Sequence, residues 1–131
     1  MLERANAVTQ DFVQSTLVGE AVEASEHAVF VSEEFSGVYV AVNQAAARLL
    51  GYTRAELLKM RATQISARSA AEVRAIYEEL LHTGEIRKTA RLRRKDGTVI
   101  EIDYFGTKTK VGGIDFLLTV TDPISLARER Q

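Results

Sequence analysis

Asp103 and Tyr104 come nearest to a catalytic pair in this chain. An aspartate can act as a general base, and a tyrosine can donate a hydrogen bond to a developing oxyanion, as a small isomerase would require. Successive side chains of a strand point to opposite faces, however, and the alternation of Ile100, Ile102 and Tyr104 places Tyr104 on the apolar face. Asp103 then faces away from any shared pocket. We therefore predict no catalytic activity and keep an isomerase-like enzyme only as an alternative hypothesis.

Histidine and cysteine are the other side chains whose chemistry could define a function. The chain has two histidines, His27 and His82, and no cysteine. The lack of cysteine excludes a disulfide, a thiolate nucleophile and a cysteine-ligated metal. Two histidines far apart in the sequence make a poor transition-metal site, so we predict no metal.

The composition describes an ordinary globular domain without a strong electrostatic preference. The 131 residues carry 17 basic and 18 acidic side chains, which gives no general attraction to nucleic acid or to an anionic membrane. The basic run at Arg91, Arg93, Arg94 and Lys95 lies among acidic residues and predicts a solvated strand face. No apolar run is long enough to span a bilayer, and no signal-peptide core is present. We expect a cytoplasmic protein.

The N-terminal segment, residues 1–25, is predicted to be a flanking helix. Its apolar and small residues recur at alternating spacings of four and three, which is a weak heptad pattern. Such a helix would either lie on its own domain or pair with a second copy, and the second alternative makes Val8 and Phe12 candidate dimer contacts. The seam comprises Met1, Ala5, Val8, Phe12, Ser15, Gly19 and Val22.

Two short strands and two short helices follow. Residues 28–31 and 38–42 alternate as a β-hairpin. Asn43 is a favourable helix N-cap, and Gly51 supplies the left-handed residue that commonly ends a helix. Thr53 and Glu56 then form a capping box for a second helix. Residues 60–68 are predicted to be irregular, with Ile65 as a buried anchor.

A long helix and three strands complete the pattern. Ser69 and Glu72 form another capping box, and Gly84 is the predicted stop. Strands are predicted at 86–94, 99–109 and 114–121, the first two joined by an Asp-Gly turn. The last strand is apolar on both faces, which makes Phe116 and Leu118 further candidate dimer contacts. Asp122 and Pro123 are typical of the start of a terminal helix.

Two hairpins separated by helices cannot form an all-parallel sheet. The economical architecture is α+β, with one antiparallel sheet and the helices packed against a face. The motifs themselves resemble the PAS domain family: N-x-A-A-x-x-L-L-G-Y-T-R-A-E-L-L from Asn43, T-G-E from Thr83 and R-R-K-D-G-T from Arg93. The resemblance implies a PAS core at 26–122, a five-stranded sheet in the order 2-1-5-4-3 and a C-terminal linker helix that starts within 123–131.

The resemblance also implies a function in signal transduction. PAS domains sense ligands, light, oxygen or redox state, or serve as dimerising modules, and flanking helices pass the signal to an output domain. This chain has flanking helices and no such output domain, so the resemblance implies a bacterial-type sensor of the two-component or regulatory class that is either excised from a longer protein or works alone through a partner. We expect it to form a homodimer and to bind a small apolar or aromatic ligand. A ligand-free dimerisation or protein-interaction module is the alternative.

Two PAS subtypes are disfavoured by particular positions. Flavin photoreceptors of the LOV type form an adduct with a cysteine, and this chain has none. Haem-binding members carry an axial histidine ten residues before the T-G-E motif, where this chain has Val73, which cannot ligate iron. The cofactor is therefore unknown, with no haem and no covalent flavin adduct expected.

Inner faces of the predicted elements supply the candidate pocket residues. Tyr77 and Tyr104 are the best candidates, because a buried phenol needs a hydrogen-bond partner that a ligand could provide. For most of the others, plain core packing is the alternative. The full set is Val29, Val31, Val40, Leu50, Met60, Ile65, Ile76, Tyr77, Leu80, Leu92, Ile100, Ile102, Tyr104 and Leu117.

Overall fold

A curved antiparallel sheet covered on one face by helices forms the body of the protein. The computed structural model describes residue 14 and residues 16–130. The helices are α1 (residues 16–24), α2 (Gln44–Leu50), α3 (Arg54–Leu57), α4 (Ala62–Ile65) and α5 (Ala70–Thr83). The strands are β1 (His27–Glu33), β2 (Tyr39–Val42), β3 (Glu85–Arg93), β4 (Val99–Val111), β5 (Ile114–Pro123) and β6 (Arg128–Arg130).

The first five strands lie in the order β2-β1-β5-β4-β3, and every pairing between them is antiparallel. This confirms the α+β class and the strand order that the resemblance implied. The short β6 lies off this path and pairs with β4 at Val99–Glu101. The described sheet therefore has six strands rather than five.

Local capping chemistry fixes the helices where the sequence predicts them. The side chain of Asn43 accepts from the Ala46 amide, and Gly51 ends α2 in the left-handed conformation at φ 77°. Both predicted capping boxes are present, Thr53 with Glu56 on α3 and Ser69 with Glu72 on α5. These caps satisfy amides that a helix terminus leaves without an intrahelical partner.

The hydrophobic core lies mainly between α2 and the sheet. Ala45, Ala46, Ala47, Leu49 and Leu50 of α2 are all buried. In α5, by contrast, Leu80 is the one residue classed as buried, although this helix is twice as long. The core cluster also includes Phe30, Tyr39, Val42, Leu57, Ile65, Ile100 and Ile102.

The segment predicted to be irregular contains one helical turn, α4. Its Ile65 is 1% exposed, as expected for an anchor. Bridges on either side hold the segment in place: Arg61 pairs with Val38, and Ser66 pairs with Leu92 of β3. The segment therefore runs between the β1–β2 hairpin and the sheet edge at β3.

The predicted C-terminal helix needs correction. Pro123 ends β5, Ile124–Leu126 form a 3₁₀ turn, and Arg128–Arg130 form β6 instead of helix. Arg130 donates to Glu101 of β4 at 2.7 Å, so the basic residues that looked like a charged helix end lie beside acidic partners on β4. Long-range strand pairing outweighs the local Asp-Pro signal.

The N-terminal flanking helix is confirmed for residues 16–24 only. Met1, Ala5, Val8, Phe12 and Ser15 of the predicted seam lie outside the described residues, so their contacts stay predictions. Among the helices of the described part, none combines the length and apolarity that crossing a bilayer demands.

Candidate functional site

A cavity of about 200 Å³ lies between α5 and the inner face of the sheet. Its walls are mostly apolar. Phe30 and Tyr39 close it on the β1–β2 side, and Ile86 and Ala90 of β3 close it on the other. Six of the predicted pocket residues line it: Ile76, Tyr77, Leu80, Leu92, Tyr104 and Leu117.

Five other candidates belong to the packed core and do not line the cavity. Leu50, Ile65, Ile100 and Ile102 are at most 1% exposed, and Met60 packs against the same cluster. The first four side chains are enclosed by neighbouring protein atoms and Met60 is partly buried beside them, so the core-packing alternative applies to these residues.

Val29, Val31 and Val40 were wrongly assigned to the inner face. Buried positions in β1 alternate with half-buried ones, and the buried set contains Phe30. Val29 and Val31 therefore share the outer face with their partners on β5. Val40 is 48% exposed, because only the two ends of β2 are buried. The run Val-Phe-Val is apolar at every position, so alternation gives no signal for its phase.

Several lining residues were missed by the sequence analysis. Phe30, Ser32 and Tyr39 follow from the phase of the first hairpin, which the bulky aromatic side chains could have indicated. Ser66 and Arg68 come from the segment predicted to be irregular, where no periodicity marks a face. The remaining missed positions are Ala62, Val73, Ile86, Ala90, Arg91, Gly106, Leu118, Thr119 and Thr121.

Tyr77 lines the cavity, but its hydroxyl is engaged with another protein side chain. Its hydroxyl donates to Glu34 Oε1 at 2.5 Å. Burial together with the neighbouring carboxylates raises the pKa of Tyr77 to about 12, so the phenol stays protonated. Lys108 lies 3.6 Å from Glu34, whose side chain is 8% exposed. This group ties α5 to the β1–β2 loop.

Tyr39 and Tyr104 are the phenols left free in the cavity wall. Burial raises the pKa of each above its ordinary value. Neither hydroxyl makes a hydrogen bond to any other residue that the structure describes. Each is therefore a protonated donor next to the apolar space.

Arg68 is a charged side chain at the cavity wall. Its Nη1 donates to Glu72 at 3.2 Å, and its Nη2 donates to the carbonyl of Thr89 on β3. Its Nε is buried and finds no acceptor within the described residues. A buried N–H donor without a partner is unfavourable, so this atom is suited to an external acceptor.

Asp103 does not line the cavity beneath α5 that Tyr104 borders. Asp103 is exposed on the outer face, and the Thr89 hydroxyl that donates to it at 2.6 Å holds the pKa of its carboxyl below the ordinary value. A general base in an apolar pocket would have its pKa raised by burial. The strand alternation therefore separates these two residues, as predicted.

The two histidines lie apart from each other and from the cavity. Nδ1 of His27 lies 2.6 Å from the carbonyl oxygen of Thr121. His82 is exposed in the last turn of α5. Over residues 14 and 16–130, we find no cluster of three side chains suited to hold a metal ion.

The outer sheet face carries an apolar strip at its centre. Val31 pairs with Leu118 and Val29 with Val120, all of them half-buried. Phe116 lies on the same face, whereas Leu118 also borders the cavity. Leu17 and Val18 of α1 are 59% and 55% exposed. These two surfaces offer apolar area beyond the core.

Comparison with known proteins points to one family. A model of the PAS domain matches residues 26–122. A PAS domain from a two-component sensor histidine kinase superposes with a TM-score of 0.73 and 18% identity, covering 92% of this chain and 99% of the other. The PAS domain of an HTR-like protein from Haloarcula marismortui superposes with a TM-score of 0.71 and 18% identity, covering 99% of this chain and 100% of the other. A PAS domain of a protein from Desulfitobacterium hafniense superposes with a TM-score of 0.66 and 25% identity, covering 77% of this chain and 95% of the other. A search of curated proteins gave no match.

Proposed function

The chain belongs to the PAS domain family, and we propose that it acts as a sensory domain that binds a small apolar or aromatic molecule without a covalent bond. The observation that supports this most directly is the cavity of about 200 Å³ beneath α5. Few side chains of α5 are buried, because much of its apolar stripe faces this cavity. A molecule in the cavity would supply the missing contacts. We propose no catalytic step.

The size and lining of the cavity favour a small occupant. An apolar cavity of roughly 150 Å³ is enough to bind benzene, so the space here suits one ring or a short chain. Val73 of α5 lines the cavity where a haem-binding relative would place its axial histidine. We therefore propose that haem is not the cofactor, and the lack of cysteine leads us to propose the same for a covalent flavin adduct.

Relay of the signal is proposed to pass through α1. Asn43 connects α1 to the ligand-binding body, because its amide donates both to the Val22 carbonyl of α1 and to the His27 carbonyl of β1. Since the similar structures include a domain of a sensor histidine kinase, we propose that an output domain or a signalling partner responds to α1. The cytoplasmic location stays a prediction.

We expect freshly purified protein to retain a small molecule, released on denaturation and detectable by mass spectrometry. Its absorption spectrum should show no Soret band, since Val73 cannot ligate haem iron. A Soret band would contradict the cofactor proposal. Protein that carries nothing and binds no small molecule in a screen would contradict ligand sensing and favour the dimerisation module.

Dimerisation through the outer face is the second part of the proposal, supported by its apolar strip and by the exposed side chains of α1. Phe116→Glu should convert a dimer to a monomer in light scattering, because a charge buried in an interface lacks a compensating partner. Leu81→Glu is the matched control, since Leu81 is exposed on α5, an element of the helical side. A Phe116→Glu protein that keeps the dimer mass would contradict an interface on this face.

A further inference from the structure

The charged residues that line the cavity are all of one sign. Among the described lining residues, the ionisable side chains that are charged at neutral pH are Arg68 and Arg91, and no carboxylate is present. Each arginine has a carboxylate neighbour, Glu72 for Arg68 and Glu101 for Arg91, and each has a buried Nε without a hydrogen-bond acceptor among the described residues. The side chain of Arg68 is 23% exposed and that of Arg91 is 43% exposed, so Arg68 is the more enclosed cation and the one that we consider for the cavity.

Arg68 retains hydrogen-bonding capacity after its protein contacts are counted. A guanidinium has five N–H donors, and the bonds to Glu72 and Thr89 use two of them. The Glu72 side chain is 54% exposed, so solvent weakens its compensation of the arginine charge. The buried Nε has no acceptor in the part of the chain that the structure describes.

Tyr104 adds a second donor to the lining of the same cavity, since Arg68 and Tyr104 are both among its lining residues. Burial raises the pKa of the phenol, and the Arg68 charge opposes part of that rise. The pKa remains raised, which keeps the hydroxyl protonated. A cation and a neutral donor in the lining of one cavity match an acceptor that is negatively charged.

We infer that the cavity takes a small monocarboxylic acid, with its carboxylate against Arg68 and Tyr104 and its apolar body in the space beneath α5. This inference rests on the proposed ligand-binding function. Arginine binds carboxylates in a paired geometry. A single negative charge suits a mostly apolar lining better than a doubly charged phosphate, because desolvation of charge is costly. The volume favours an acid with one ring, such as benzoate.

Calorimetric titration of the full chain with sodium benzoate and with benzamide tests the inference. The two probes share shape and differ in charge. We expect benzoate to bind, and Arg68→Met to weaken its binding roughly ten- to a hundred-fold, the range for a lost hydrogen bond to a charged group. Arg68→Lys should weaken benzoate binding less than Arg68→Met does, because lysine keeps the positive charge although it lacks the paired N–H donors of the guanidinium. Arg74→Met, which removes an exposed arginine of the nearby helix α5, should change the affinity less than about two-fold.

The outcomes separate this inference from the function on which it rests. Tyr104→Phe should weaken benzoate binding roughly five- to ten-fold. This variant provides the test if Arg68→Met fails to fold. Benzamide that binds as tightly as benzoate, with no loss in either variant, would overturn the acid and leave a ligand-binding domain. A retained molecule without a carboxylate would do the same. If neither probe binds and nothing is retained, both proposals are overturned.

Discussion

Asn43→Ala is expected to lower the free energy of unfolding by about 3 to 5 kcal/mol, several times the cost of losing an ordinary helix cap. The Asn43 residue is 2% exposed. Its Oδ1 accepts from the amides of Val29 and Ala46, and its Nδ2 donates to the carbonyls of Val22 and His27, at 2.7 to 3.0 Å. Removing it would leave two amides and two carbonyls without these partners, and burial prevents water from replacing them fully.

Urea unfolding followed by circular dichroism measures this change. Ser69→Ala is the matched control, because the Ser69 hydroxyl caps α5 by accepting one hydrogen bond from the Glu72 amide on an exposed surface. It should cost about 1 kcal/mol. Equal costs for the two variants would show that Asn43 acts only as a cap and does not join α1, β1 and α2.

Leu50→Ala should lower the free energy of unfolding by about 3 kcal/mol, within the range for a leucine removed from a rigid core. Leu50 is 0% exposed and lies in α2, among the closely packed residues that share the main cluster. Its deletion leaves a void, because its neighbours belong to a helix and a sheet that cannot collapse inward freely.

Val40→Ala is the comparison for this second change, since both residues were predicted to line the pocket. Val40 is 48% exposed, so its truncation should cost less than about 0.5 kcal/mol. Unfolding curves at one protein concentration give both values. A cost below about 1 kcal/mol for Leu50→Ala would mean that this side chain borders open space rather than a packed core.

Features encoded by neighbouring residues could be predicted from the sequence. Asn43 with Gly51 and Ser69 with Gly84 bound two helices at the predicted residues, because capping needs only groups a few positions apart. The motif that contains Asn43 and Gly51 also carries the resemblance to the family. In these places short-range chemistry and the global fold agree.

Features set by distant contacts could not be predicted. The phase of β1 depends on which side of Val29, Phe30 and Val31 meets the helices, and the residues are apolar on both sides. Arg68 lies between α4 and α5, and its guanidinium is held at the cavity wall by the carbonyl of Thr89, which belongs to the distant strand β3. The terminal segment forms β6 because its backbone pairs with β4, where Arg130 also lies beside Glu101. Each outcome requires knowledge of the sheet before the residue can be placed.

The unequal burial of α2 and α5 determines which part of the domain we expect to open first. Local opening starts where few apolar side chains are buried, and among the longer helices that description fits α5, whose Val73, Ile76 and Tyr77 face the cavity. We expect α5 to lift as a unit while the sheet and α2 stay folded. The hydrogen bond from Tyr77 to Glu34 would then be the fixed point about which the helix moves. A molecule would enter through a transient gap under the helix rather than through a permanent channel.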